Sequence, residues 1–165
     1  MTRVVLVPPV LAFLPEYAGL EDPVADLRAV VLDAVSWLGR EVTVLGDDQA
    51  QRVAAHLLGS ASRLGDEPSY LVMANGSARR TDVSPGPYDA RAVPFDDALG
   101  AALRAGDAAA LAALDHELAR ELWACVEPIS EIARLSSLSG AEVDYDGAPF
   151  GVQYWVMRWT LPCAS

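Results

Sequence analysis

The chain has 165 residues, enough for one domain with one core, and 52% of them are hydrophobic, which argues against disorder. Its formal net charge is -11 and all 12 basic residues are arginine, so nucleic acid and anionic membrane surfaces are repelled as partners. The cysteines, Cys125 and Cys163, belong to no Cys-x-x-Cys or Cys/His pattern, which leaves no zinc motif or disulfide framework and fits a reducing cytoplasmic setting.

Residues 3–7 are a β-branched run stopped by Pro8-Pro9 and read as a buried first strand. The apolar N-terminus is split by those prolines and has no small-residue cleavage pattern, so it reads as strand and loop rather than a signal peptide. Asp22 caps the next helix, with Pro23 in its first position, where the missing N–H costs nothing. Val24, Leu27, Val30, Val31, Ala34 and Leu38 form its apolar stripe, and Gly39 ends it. Residues 41–45 make a second strand. Asp47 or Asp48 caps a short helix to Leu58, closed by Gly59, and 59–69 is a polar connection.

Residues 70–74 form a third strand that opens into Asn75-Gly76-Ser77. Prolines and a glycine make 81–88 an ordered turn or a mobile loop. A helix over 91–105 carries Phe95, Leu99 and Leu103 on one face. A second, after Gly106-Asp107, carries Leu111, Leu114, Leu118, Leu122 and Cys125, and a third piece covers 129–138. Residues 141–145, a turn at 146–149 and residues 150–160 read as a closing pair of strands. No stretch reaches the roughly eighteen apolar residues of a membrane span.

Strands alternating with helices predict an α/β fold with a mainly parallel sheet. Sites in such sheets form at the carboxyl ends of the strands. Val7-Pro8-Pro9, Gly46-Asp47-Asp48 and residues 75–80 therefore share one candidate rim.

The strongest local signal is Gly76-Ser77-Ala78-Arg79-Arg80. Glycine after a strand admits close backbone approach, Ser77 supplies a hydroxyl, and two guanidiniums suit a carboxylate or phosphate. The alternative is a tight turn whose arginines pair with the abundant acids. Ser77 as a nucleophile needs a base, and the chain offers only His56 and His116, with no Gly-x-Ser-x-Gly elbow. His116 is expected on the solvated side of its helix, and His56 in a partly buried, hydrogen-bonded role. Asp47-Asp48, Asp96-Asp97 and Asp144 with Asp146 are either hard-cation ligands or caps and solvated faces. Trp123, Trp155, Trp159, Tyr145 and Tyr154 read as core or interface before ligand box.

Six segments in order resemble the LigB-type class III extradiol dioxygenase superfamily. They are Val5-Leu6-Val7-Pro8-Pro9-Val10-Leu11, the run Leu71-Val72-Met73-Ala74-Asn75-Gly76-Ser77-Ala78-Arg79-Arg80, Pro85-Gly86-Pro87-Tyr88, Phe95-Asp96, Ala105-Gly106-Asp107 with Leu111 and Leu114-Asp115, and the closing Tyr145 to Val156 stretch. The likeness extends to a small actinobacterial branch with Gly-Ser-Ala-Arg-Arg in place of a Ser-His pair. The stretch 46–66 looks shortened against the family. The resemblance implies one three-layer α/β/α domain over 1–165, with a mainly parallel central sheet and a C-terminal antiparallel strand pair.

Family members hold ferrous iron with two histidines and a glutamate and use a further histidine as acid–base catalyst. Here the first ligand position reads Val7, no histidine stands at Gly46-Asp47-Asp48, and the catalytic position reads Ala78. Glu127 remains as a glutamate candidate. Valine and alanine neither bind iron nor move protons. The expectation is a non-catalytic protein without cofactor, lacking the ancestral iron, that binds a small organic anion or acts through assembly as a homodimer. Ligand candidates are Pro8, Pro9, Asn75, Gly76, Ser77, Arg79, Arg80, Tyr145 and Tyr154, and weak metal candidates are Asp47, Asp48, His56 and Glu127. The alternative is an extradiol ring-cleaving oxidoreductase, or another enzyme built on Ser77, Arg79 and Arg80.

Overall fold

Side-chain alternation along the first strand sets the layers. The structure, a computed structural model, describes residues 1–135 and 137–162, so Ser136 within the expected 129–138 helix and Cys163 lie outside the described residues. Strand β1 (Thr2–Val7) buries Val4 and Leu6 on one face and Val5 and Val7 on the other. A strand buried on both faces needs helices on both.

Strand β3 (Ser69–Met73) runs parallel to β1, from Arg3 opposite Ser69 to Val7 opposite Met73, and β2 (Val42–Leu45) runs parallel to β3. On the other side of β1 lies antiparallel β5 (Tyr154–Leu161), followed by antiparallel β4 (Glu142–Gly147). The result is a five-stranded mixed sheet in the order β2-β3-β1-β5-β4. Parallel neighbours require crossovers. Helices α1 (Ala25–Ser36) and α2 (Asp48–Ser60) supply them, and pack Leu27, Val31, Val53 and Leu57 against Val5, Val7, Leu71 and Met73. The opposite face, with Leu6, Val72, Trp155 and Met157, is covered by α3 (Ala92–Ala105), α4 (Ala108–Ala112), α5 (His116–Glu121) and α6 (Glu127–Leu135).

Several boundaries differ from the expectation. Helix α1 starts at Ala25 rather than at Pro23, and the Asp22 carboxylate is bound by Arg28. Helix α2 runs through Gly59 to Ser60. Its cap is Asp47, which accepts the Ala50 N–H at 2.8 Å. The long helix expected after Asp107 is two short ones, because Asp107 and Asp115 each cap a separate start by accepting the N–H three residues on. That break turns His116 inward, contrary to the expected solvated face. Its Nε2 lies 3.2 Å from Ser130 Oγ on α6, whose hydroxyl donates to the Leu111 carbonyl. The closing strand begins at Tyr154 rather than residue 150, since 148–153 are taken up by the turn.

Strand β4 is an outer edge. A register shift between Val143 and Tyr145 leaves Asp144 out of the ladder, and Glu142, Asp144 and Asp146 make the edge acidic. Arg158 of β5 holds Glu142 and Asp144 from within the sheet, and Arg104 holds Asp146. Among the described residues no helix is long and apolar enough to cross a membrane.

Gly106 closes α3 in a left-handed conformation, φ 66°, and a Cβ there would stand 2.1 Å from the Ser139 carbonyl oxygen. Left-handed backbone costs a non-glycine residue about 1–2 kcal/mol before any overlap. Gly106→Ala is expected to lower unfolding free energy by at least about 2 kcal/mol, measured by urea denaturation. A loss well below that would mean the α3–α4 corner is not held as described.

Candidate functional site

Parallel pairing of β1, β2 and β3 brings their carboxyl ends to one rim, and the antiparallel hairpin adds the end of β4 and the start of β5. Pro8, Pro9, Asp47, Asn75, Gly76, Ser77, Tyr145 and Tyr154 therefore share that rim. The segments are stitched together. The Ala74 N–H donates to the Val7 carbonyl at 3.1 Å, Gln49 Nε2 donates to the Pro9 carbonyl at 3.3 Å, and Asn75 and Cys125 exchange both backbone bonds at 3.1 Å. The Gly76 N–H donates to the Gln153 carbonyl at 2.8 Å, and the Gln153 N–H to the Ser77 carbonyl at 3.0 Å. Burial raises the Tyr154 phenol pKa, with the Tyr145 phenol adding to the rise, and burial raises that of Tyr145 too.

Asp96 of α3 holds the centre of this rim and is only 2% exposed. Its carboxylate accepts the Ser77 N–H at 2.8 Å, the Ser77 hydroxyl at 2.7 Å and the Arg80 guanidinium at 2.7 Å. Gly76 is fitted so closely that a Cβ would sit 2.6 Å from Asp96 Oδ1 and 2.9 Å from the Trp155 ring. Arg79 donates Nε to the Pro87 carbonyl and an Nη to the Glu121 carbonyl, each at 2.7 Å, with Asp89 at 3.6 Å. Loop 81–91 is an ordered one. The Gly86 and Asp89 N–H groups reach the carbonyls of Ala78 and Arg79, and Ser84 Oγ donates to the Gly151 carbonyl at 2.8 Å.

These contacts limit the chemistry. Ser77 donates to a carboxylate already ion-paired with Arg80, and neither histidine is among its hydrogen-bond partners. Cys125 is held as a thiol: burial lifts its pKa to about 11, with the Glu127 and Asp47 carboxylates adding to the rise. Asp47 caps α2, Asp48 begins it, His56 lies two turns on, and Glu127 opens α6. Among the described residues no group of three or more His, Cys, Asp or Glu is placed to share a metal ion. Val7 and Ala78 are buried apolar side chains. This donor set does not fit a ferrous centre of two histidines and a glutamate.

In the sequence Asp96 appears as half of an acidic pair and in the Phe95-Asp96 segment of the resemblance, neither of which marks it as a site residue. The missed signal is its place on the stripe of α3 with Leu99 and Leu103, where a charge needs a buried partner. The comparison with family models finds no match for this chain, and no curated protein matches it.

Removing one member of a buried ion pair strands the other, at about 3–5 kcal/mol. Asp96→Ala is expected to destabilise the protein by that amount in urea unfolding, while Asp97→Ala on the exposed side changes it by less than about 0.5 kcal/mol. Equal, small effects of both would show that the Ser77–Asp96–Arg80 cluster does not hold the rim. In a Cys163→Ser background, Cys125 is expected to react with iodoacetamide far more slowly at pH 8 than a free thiol, with the rate rising toward pH 11.

Proposed function

We propose that this chain is a LigB-like three-layer α/β/α protein that has lost the family's iron site and works by holding another molecule rather than by catalysis. The observation that carries this reading is the internal commitment of the rim's reactive groups. Asp96 accepts three donors from Ser77 and Arg80, and Cys125 stays protonated. Among the described residues, a triad, a thiolate and a three-donor metal centre are each without the groups they need.

A small organic anion at the arginine loop remains the second reading, and it falls on Arg79. Arg80 would have to abandon a carboxylate that is nearly fully buried. Arg79 is bound to backbone carbonyls, with Asp89 only loosely paired at 3.6 Å. Its planar fork suits a carboxylate.

Protein prepared anaerobically under reducing conditions is expected to carry no stoichiometric iron and to leave catechols uncleaved, as measured by elemental analysis and ring-opening absorbance. Near-equimolar iron with ring cleavage would overturn the proposal. Thermal-shift screening of small carboxylates decides the second reading. A carboxylate that raises the Tm of the parent and not of Arg79→Met establishes an anion site, and no shift of the parent removes it.

A further inference from the structure

On the outer side of the α3–α6 layer, α3 and the α4–α5 pair leave an apolar groove of about 610 Å³ between them. Pro94, Phe95 and Ala98 line it from α3, and Ala110, Leu114 and Leu118 from the other side. One end meets a polar band of Arg91, Asp115, Glu117 and Glu121 around Leu118. Arg91 is already bound by Asp89 and Glu121, so the charge left over in the band is negative. In sequence, Tyr88 directly precedes the Asp89 that holds Arg91, and Trp123 follows Glu121 by two residues; they are 57% and 53% exposed.

Trp123 adds an independent observation. It closes α5 at φ 60°, among the described residues the single non-glycine with positive φ. The Ala124 N–H reaches back to the Ala119 carbonyl at 2.8 Å, the bond of a helix end that usually takes glycine. A bulky residue there is strained relative to glycine. The ring packs over Gly86 on one side and leaves half its surface to solvent. Backbone strain that presents an exposed aromatic is a mark of function.

The geometry points to this face as the docking site for a basic amphipathic helix of a partner protein. Its apolar stripe would lie between α3 and α5, its lysines or arginines over Asp115, Glu117 and Glu121, and one cation against the faces of Tyr88 and Trp123. A groove between two helices is the shape that takes a third. The acidic margin selects a basic partner over a second copy, which would bring another net charge of -11 to it. This inference deepens the binding reading above and can fail without it.

The test is selection from a phage-displayed library of helical peptides of roughly twenty residues, about 30 Å long, with a leucine stripe and randomised flanks. Ala98→Trp fills the groove from an exposed position, Glu117→Arg reverses the band, and Trp123→Gly relieves the strain; circular dichroism and Tm confirm that each variant folds. The expected result is enrichment of lysine- or arginine-flanked peptides that bind the parent with micromolar Kd. Each variant weakens that binding by about tenfold or more, and the Tm of Trp123→Gly is no lower than the parent's. The inference is overturned by lack of enrichment, by acidic flanks enriching equally, by Ala98→Trp having no effect, or by a parent dimer that Ala98→Trp splits. Iron with ring cleavage would sink the non-catalytic reading and leave this one standing. Failed selection from inert protein would do the reverse.

Discussion

A buried carboxylate with three donors organises this protein. Asp96 lies within the α3 layer, and desolvating it is favourable only because the Ser77 N–H, the Ser77 hydroxyl and the Arg80 guanidinium all converge on it. That convergence fixes the path of the chain after β3, and with it the approach of Gly76 to Trp155 and Gln153. It also fixes the start of β5, because Gly76 and Ser77 hold Gln153 by backbone bonds on both sides. Residues far apart in sequence (77, 96 and 153) are thus locked through one side chain.

Such a rim has the position of an α/β active site and few of its means. Catalytic groups need either a perturbed proton affinity matched to their task or an open coordination position. Here the thiol is shifted away from reactivity, the hydroxyl donates to an ion-paired acid, and the arginines bind the protein's own oxygens. The groups that would ordinarily meet a substrate serve as rivets. Unspent capacity lies instead on the α3–α5 surface, where apolar side chains and Glu117 face outward beside Asp115, which caps α5, and Glu121, which holds Arg91.

The sheet was legible because β1 and β3 are short apolar runs ended by Pro8-Pro9 and by Asn75-Gly76, the pattern of a strand buried on both faces. A cap at Asp47 or Asp48, the break at Gly106-Asp107 and the closing hairpin were legible for similarly local reasons. The division of 107–125 was not, because the leucine spacing of one helix runs across the break and only the competing cap at Asp115 interrupts it. The inward turn of His116 followed from that break and was hidden with it. The direct pairing of β5 with β1 was beyond reach, since no local pattern states which strand a hairpin will join. At the rim the arginines were visible as charges, but their partners, the carbonyls of Pro87 and Glu121, have no sequence signature.

The acidic, bulged edge at β4 has a consequence wherever copies of the folded chain are crowded. An open sheet edge is where crowded copies would zip together. Two β4 edges brought side by side would set Glu142 and Asp146 of each chain against their counterparts, and the displaced Asp144 would break the hydrogen-bond ladder in the middle. Charge and bulge together keep this side of the sheet from pairing with another copy of itself.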